Sequence, residues 1–154
     1  RFKYNSQWPL GHLLAQLLGR WLSHCYSEGL PRPALLIPVP LARRRLRQRG
    51  YNQAAMLARW LSGHTGITCN EQVLKRLIDT PAQQGLKARA RQRNLRHAFA
   101  VINPHLIEGR HLALVDDVLT TGATVQTLAS LLLKAGARRV DVYCLARTAK
   151  PGSA

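Results

Sequence analysis

Two adjacent carboxylates followed by a hydroxyl-rich turn are the residues of this chain best suited to chemistry. The segment 112–124 reads LALVDDVLTTGAT and contains Asp116 and Asp117, two of only seven acidic residues among 154. Apolar residues before the pair predict a buried strand, and the spacing after Gly122 predicts a helix. Adjacent like charges are costly unless a cation, ligand hydroxyls or solvent offsets their repulsion. Because a helix N-terminus favours anions, the segment predicts a site for a phosphate and a polyhydroxyl group together.

Three other interpretations explain less of this segment. A plain strand before a helix capped by Thr121 or Thr124 leaves the paired aspartates unexplained. A receiver domain has its acidic pair near the start of the chain, whereas this pair lies three-quarters along it. A nucleoside triphosphatase would need a G-x-x-x-x-G-K-[ST] loop, and neither that pattern nor G-x-G-x-x-G occurs in the sequence. We therefore favour the phosphate and polyhydroxyl site.

The same segment carries a family resemblance. LVDDVLTTGAT resembles the signature with which type I phosphoribosyltransferases bind 5-phosphoribosyl 1-pyrophosphate (PRPP): apolar residues, two acids, two spacers, then T-T-G-x-T. The resemblance implies that Asp116 and Asp117 hold the ribose hydroxyls and form the catalytic pair. It also implies that the 5-phosphate lies against Thr120, Thr121, Gly122, Ala123 and Thr124. The chemistry agrees, because carboxylates accept hydrogen bonds from hydroxyls and glycine lets a backbone approach a phosphate.

Positive charge is the second strong signal. Lys and Arg outnumber Asp and Glu by 23 to 7, which gives a net charge of +16. The excess is concentrated in LARRRLRQRG at 41–50 and LKARARQRNLR at 86–96. A charge run is usually a solvated face, but this charge exceeds what solubility requires. It predicts a polyanionic partner, either a pyrophosphate-bearing substrate or a nucleic acid backbone.

Length and composition fit one globular domain over residues 1–154. The hydrophobic fraction of 46% is inconsistent with a disordered chain, and no apolar run is long enough to span a bilayer. Three scattered cysteines argue against a disulfide framework and against a zinc site, and we assign none of the six scattered histidines a catalytic role. We expect buried free thiols in a reducing cytoplasm. Because there is no starting methionine and no signal-peptide pattern, we expect a fragment of a longer cytoplasmic protein.

Hydrophobic periodicity predicts an α/β fold with a central, mainly parallel sheet flanked by helices. One helix is predicted to begin near Pro9 and to place Trp21 in the core, and a second is predicted to stop at Gly63. A third begins near Val125 and ends at Gly136. Strands are predicted at 35–39, 73–78, 97–102, 112–115 and 140–145.

Both arginine clusters are predicted to flank the acidic pair. The first follows strand 35–39 and should lie at the same carboxyl edge of the sheet as Asp116. Type I phosphoribosyltransferases have their pyrophosphate loop after an early strand, which implies pyrophosphate contacts in loop 40–53 from Arg45, Arg49 and Gly50. The second cluster falls in a polar segment, 80–95, where that superfamily has a mobile catalytic loop. The candidates there to reach pyrophosphate on closure are Gln83, Lys87, Arg89 and Arg93.

Together these pieces resemble the ComF family. The resemblance is carried by VPLARRRLRQRGYNQA at 39–54, by VDDVLTTGAT at 115–124, and by Gln83, Arg93, Asn94 and Phe99. Full-length members carry an N-terminal zinc-binding segment that this sequence lacks. The resemblance implies a PRPP-binding phosphoribosyltransferase that uses Mg²⁺, linked to DNA uptake and competence beside a helicase-like partner. The alternative is a non-catalytic competence factor that binds single-stranded DNA and uses PRPP or a nucleotide as a regulatory ligand. No acceptor-binding motif is visible.

Overall fold

A four-stranded parallel sheet forms the centre of the domain. The computed structural model describes residues 2–41, 46–48, 50–77, 88–119 and 121–148, with side chains from residue 10 onward except at 88, 89, 91 and 92. The helices are α1 (Phe2–Ser27), α2 (Gln53–Thr65), α3 (Ala88–His97) and α4 (Ala123–Lys134), with a 3-10 turn at Pro104–Leu106. The strands are β1 (Leu35–Pro38), β2 (Thr68–Cys69), β3 (Leu74–Arg76), β4 (Phe99–Val101), β5 (His111–Leu119) and β6 (Arg139–Arg147). The predicted α/β class is confirmed.

Strand order explains how distant segments meet at one edge. The central sheet runs β2-β1-β5-β6, and every neighbouring pair in it is parallel. Leu35 pairs with Leu112 and Pro38 with Val115, so β1 and β5 end their pairing side by side. The acidic pair and the residues that directly follow β1 therefore lie at the same carboxyl edge of the sheet, as predicted. β3 and β4 form a separate antiparallel pair outside this sheet.

Helices cover both faces of β5. For that reason its first five residues are all buried. Leu112 and Leu114 pack in one core cluster with Leu128 and Leu132 of α4. On the opposite face Ala113 and Val115 pack with Leu57 and Leu61 of α2 and with Ala15 and Leu22 of α1. Successive strand residues point to opposite faces, so this alternation builds two cores from one strand.

The predicted core position of Trp21 is wrong. Its side chain is 60% exposed, and Leu10, Leu13 and Leu17 of the same helix are at least half exposed. α1 contacts the rest of the domain mainly through Ala15, Leu18 and Leu22, so its apolar stripe is wider than the surface that covers it. Pro9 lies inside α1 rather than near its first turn, because the helix already begins at Phe2.

Two further boundaries differ from the sequence prediction. The second helix does not stop at Gly63 but runs to Thr65 and ends at Gly66, whose φ of 76° is the left-handed conformation that closes a helix. Segment 80–95 was predicted as a loop, but α3 begins within it at Ala88, so the arginines from Arg89 onward lie on a helix.

The thiols of Cys25, Cys69 and Cys144 are free and only partly buried. Within the described part of the chain, no helix has the length and apolar character needed to cross a membrane.

Candidate functional site

The acidic pair lies inside a strand that outruns its neighbour. β5 continues through Asp116 and Asp117 to Leu119, beyond the predicted end at 115. Pairing with β1 ends at Val115, whereas pairing with β6 continues to Leu119 opposite Arg147. The two carboxylates therefore stand past the end of β1, with β6 on their other side. This is the edge at which open parallel sheets bind ligands.

The two carboxylates are strongly coupled to each other. The backbone N–H of Asp117 donates to Oδ1 of Asp116 over 2.9 Å. Burial, together with the side chain and charge of Asp117, raises the pKa of Asp116 to about 7, although the backbone hydrogen bond acts in the opposite direction. Near neutral pH the Asp116 carboxyl is therefore about half protonated when no cation is bound. A bound cation or several ligand hydroxyls would replace that proton.

A helix N-terminus faces the same edge. α4 follows β5 and leads to the start of the parallel strand β6, so its N-terminal end lies at the carboxyl side of the sheet. Gly122 precedes it with a left-handed φ of 81°, and a Cβ placed there would meet no atom within 4 Å. Thr121 Oγ1 accepts from the N–H of Ala123 over 3.2 Å. The turn therefore leaves open space in front of the helix, where backbone N–H groups favour an anion.

The other predicted site residues divide into three groups. Gly50 is exposed, has a φ of 81°, and lines a cavity of about 580 Å³ beside Pro38 and Pro40 at the end of β1. Arg93 is exposed on α3, and the backbone of Arg89 lies on the same helix. Five of the predicted residues lie outside the described residues: Arg45, Arg49, Gln83, Lys87 and Thr120.

Arg96 is a functional candidate that the sequence interpretation did not single out. It lies in the last turn of α3, which packs against α4. A cavity of about 240 Å³ is lined by Arg96, Ala123, Gln126, Thr127 and Ser130. The exposed side chain of Arg96 thus lines the same cavity as the first residue of α4. Its membership of the cluster at 86–96 was the available signal.

The donor set of the pair suits Mg²⁺ supplied with a phosphate compound. Carboxylate oxygens are ligands that Mg²⁺ prefers, and it is commonly held by one or two of them together with substrate phosphates and waters. Among the described residues, no group of three or more His, Cys, Asp or Glu side chains could hold a metal ion. Asp116 and Asp117 supply the two carboxylates that such an arrangement would use.

This chain has a type I phosphoribosyltransferase-like fold, in which the acidic strand of a parallel sheet leads through an open turn into a helix. A family model of the phosphoribosyl transferase domain matches residues 64–153. The purine phosphoribosyltransferase of Pyrococcus horikoshii has a TM-score of 0.57 and 21% identity, with 96% of this chain and 79% of that chain covered. A Neisseria gonorrhoeae protein with bound ppGpp gives a TM-score of 0.57 at 16% identity, over 94% and 72% of the two chains. Both show the fold.

Curated relatives narrow the class further. The DNA utilization protein YhgH of Salmonella typhi is 44% identical over 149 residues, which cover 96% of this chain and 65% of that protein. Competence protein F of Haemophilus influenzae is 38% identical over the same shares. Competence protein ComFC of Bacillus subtilis is 32% identical over 152 residues, 96% of this chain and 58% of that protein. This chain thus spans about two-thirds or less of the length of these relatives. It belongs to the phosphoribosyltransferase domain family and, within it, to the ComF type, which confirms the predicted resemblance.

Proposed function

We propose that this chain binds PRPP together with Mg²⁺ at the carboxyl edge of β5 and transfers its phosphoribosyl group to an acceptor. The observation that carries the proposal is the coupled pair Asp116–Asp117 placed directly before the open turn at Gly122. One end of this unit attracts hydroxyls and a cation, and the other attracts a phosphate. PRPP carries all of these groups at the spacing of one ribose.

Each part of the ligand has a proposed partner. Asp116 and Asp117 accept hydrogen bonds from the ribose 2- and 3-hydroxyls. The 5-phosphate binds the backbone of the turn formed by Thr120, Thr121, Gly122, Ala123 and Thr124, with Arg96 beside it. The pyrophosphate binds Arg45, Arg49 and the backbone at Gly50, and on closure of the loop it meets Gln83, Lys87, Arg89 or Arg93. Mg²⁺ offsets the negative charge of the pyrophosphate when bound.

Transfer exchanges one bond at the ribosyl C1 atom for another. The lone pair of the acceptor forms the new bond to C1, and the electrons of the C1–O bond leave with pyrophosphate. Fixed positive charge near the leaving group stabilises the negative charge that develops on it. The many arginines of this chain can supply this positive charge.

A second candidate function is binding of single-stranded DNA, which the net charge of +16 specifically favours. Relatives with names that refer to DNA utilization and competence support a role in DNA uptake. In this proposal the protein works in the cytoplasm beside a helicase-like competence partner and uses PRPP or a nucleotide as a regulatory ligand. Binding would weaken steeply as salt concentration rises, because phosphate contacts release counterions.

Thermal melting with Mg²⁺ and PRPP tests the principal proposal. Ligand at about 100 times its Kd stabilises a protein by about 2.7 kcal/mol, which corresponds to a rise in Tm of roughly 5–10 °C for a domain of this size. Asp117→Ala should abolish the rise, and removal of Mg²⁺ by EDTA should reduce it. Glu28→Gln is the matched control, because it removes an exposed carboxylate just after α1 and should keep the full rise. Absence of any rise in the parent protein would refute PRPP binding.

Activity and DNA binding are separated by two further measurements. Labelled PRPP incubated with candidate acceptors should release pyrophosphate if the chain is a transferase. Titration of a labelled single strand at increasing salt measures the second candidate function. PRPP binding without pyrophosphate release, combined with salt-sensitive DNA binding, would favour the regulatory interpretation over the enzyme.

A further inference from the structure

The end of β1 is held on two sides by hydrogen bonds. The N–H of Val39, the residue directly after β1, donates to the carbonyl oxygen of Val115 over 2.9 Å. Val115 directly precedes Asp116 in β5, so this bond joins the end of β1 to the strand of the acidic pair. The carbonyl oxygen of Val39 accepts from Nδ2 of Asn52 over 3.2 Å. Both polar groups of the Val39 backbone are thus bonded to other segments.

Two prolines restrict the backbone on either side of Val39. Pro38 ends β1, and Pro40 follows Val39. A proline ring fixes its own φ and restricts the preceding residue to an extended backbone, so Pro40 limits the conformations of Val39. Because proline has no N–H, Val39 supplies the only backbone donor among residues 38–40. The carbonyl group that Asn52 contacts therefore has little freedom to turn.

Asn52 uses the two ends of its side-chain amide for different purposes. Its Oδ1 accepts from the N–H groups of Ala54 and Ala55 over 3.0 and 3.3 Å, which caps the N-terminus of α2. Its Nδ2 donates to Val39. Serine and aspartate cap helices about as well as asparagine, but neither has one atom for the cap and a second atom that donates. The helix cap alone therefore does not account for asparagine at this position.

The hydrogen bond between Asn52 and Val39 closes the base of loop 40–51. This loop carries the arginines to which the proposed function assigns the pyrophosphate. Before it reaches α2, the N–H of Gly50 donates to the carbonyl oxygen of Leu46 over 2.7 Å, and Gly50 has a left-handed φ of 81°. Gly50 and Asn52 line the same cavity of about 580 Å³. A loop that is fixed at its base loses less conformational freedom when it binds a ligand.

We propose that Asn52 is a positioning residue for the pyrophosphate. Through Val39 and Val115 it fixes the base of loop 40–51 against the strand that carries Asp116, and so sets the distance between the pyrophosphate contacts and the ribose contacts. This inference rests on the proposed function. Asn52 acts through the backbone, because its Oδ1 already accepts from two N–H groups and its Nδ2 already donates to a carbonyl oxygen.

Three variants separate the hydrogen bond to Val39 from the helix cap. Asn52→Ser keeps an oxygen that caps α2 and removes the amide N–H, whereas Asn52→Ala removes both. Asn70→Ser is the matched control. Oδ1 of Asn70 also accepts from the N–H two residues further on, that of Gln72 over 2.8 Å, but Asn70 follows β2 and lies outside loop 40–51.

Two ligands that differ in the pyrophosphate provide the readout. Affinities for PRPP and for ribose 5-phosphate, both with Mg²⁺, are measured by isothermal titration calorimetry. Asn52→Ser should weaken PRPP binding about fivefold, the size of one hydrogen bond between neutral groups, and leave ribose 5-phosphate binding unchanged. Asn52→Ala should lower the Tm further than Asn52→Ser, because it loses the cap, yet reduce the preference for PRPP by the same factor. Asn70→Ser should keep the full preference.

Hydrogen exchange of the ligand-free protein, measured by NMR, checks the route of the effect. The amides of Val39 and Gly50 should exchange faster in Asn52→Ser than in the parent protein, and at the parent rate in Asn70→Ser. A loss of PRPP preference with unchanged exchange at Val39 would indicate direct contact between Asn52 and the pyrophosphate and would overturn the positioning role.

The preference for PRPP over ribose 5-phosphate decides the inference. An unchanged preference in Asn52→Ser overturns it. An equal loss of affinity for both ligands also overturns it, because Asn52 would then support the fold as a whole. If the parent protein binds neither ligand, the proposed function fails and this inference fails with it, whereas PRPP binding that does not depend on Asn52 refutes this inference alone.

Discussion

Replacing Asp116 by asparagine should make the folded protein more stable at pH 8 while removing its ligand site. Burial and the neighbouring Asp117 raise the pKa of Asp116 from an ordinary value of 3.8 to about 7. Between these two values the unfolded chain has lost the proton and the folded chain keeps it. The stability contributed by this raised pKa is therefore fully present below about pH 4 and is lost as the pH rises to about 7. Asparagine is neutral at every pH and avoids this loss.

The magnitude follows from the same pKa. A rise from 3.8 to about 7 corresponds to at most ~4 kcal/mol at 1.36 kcal/mol per pKa unit. Because the carboxyl is only partly buried, solvent screening reduces this to about 1–2 kcal/mol. We expect that gain in the free energy of unfolding at pH 8, less than half of it at pH 5, and a Tm higher by roughly 2–8 °C at pH 8. The asparagine Oδ1 can still accept from the N–H of residue 117, so the backbone geometry is kept.

Urea denaturation at pH 5 and pH 8, at matched ionic strength, measures the difference. Comparison of Asp116→Asn with the parent at each pH cancels the contribution of titrating groups that do not interact with residue 116. Glu28→Gln removes one negative charge at an exposed position and should show no comparable pH dependence. Equal stability of Asp116→Asn and the parent at pH 8, or a gain that is the same at both pH values, would refute the coupled, half-protonated pair.

Three further substitutions test the turn, a helix and the hydrogen bonds to Asp141. Gly122→Ala should cost about 1–2 kcal/mol of unfolding free energy, because its φ of 81° strains any side chain although no atom obstructs a Cβ. Gly63→Ala should instead stabilise by roughly 0.5–1 kcal/mol, because Gly63 is an exposed helix residue with free space at Cβ. Urea denaturation measures the change in unfolding free energy for both variants. A change of the same sign in both would contradict the left-handed conformation of Gly122 or the helical position of Gly63. Asp141→Ala should cost about 1–3 kcal/mol, since buried His111 (Nε2–Oδ2 2.7 Å) and Arg139 (Nε–Oδ1 3.0 Å) both lose their partner. An unchanged Tm would show that this network contributes nothing to stability.

The parts of the fold that the sequence predicted are those determined locally. Strand 112–115 and the helix after Gly122 were predictable because an apolar run and a helical period lie next to each other in the chain. The exposure of Trp21 was not predictable, because the sequence of α1 does not reveal how much of its apolar stripe the sheet covers. α3 was not predicted because seven of its ten residues are polar or basic, so no apolar period marks it.

The candidate site shows the same division. Asp116, Gly122 and their neighbours form one contiguous strand–turn–helix segment, so the motif contained their arrangement. A cavity of about 290 Å³ beside Asp117 draws its walls from α1, α2, β5 and β6, whose residues are as far apart as Leu10 and Ala146. Periodicity in the sequence cannot predict that such residues lie close together, because their proximity depends on how the helices pack across the sheet. For that reason the sequence predicts a phosphate site within one segment but does not predict this cavity.

The distribution of positive charge bears on which ligands this chain attracts. In the described part of the chain Arg96 lies by the start of α4, and in the sequence the arginines of segment 41–50 follow the end of β1. The cavity beyond Asp117 has no described basic residue in its wall. Electrostatic attraction acts on the phosphates of PRPP or of a nucleic acid, whereas an uncharged ligand gains little from it. Raising salt should therefore weaken binding of these polyanions much more than binding of an uncharged ligand.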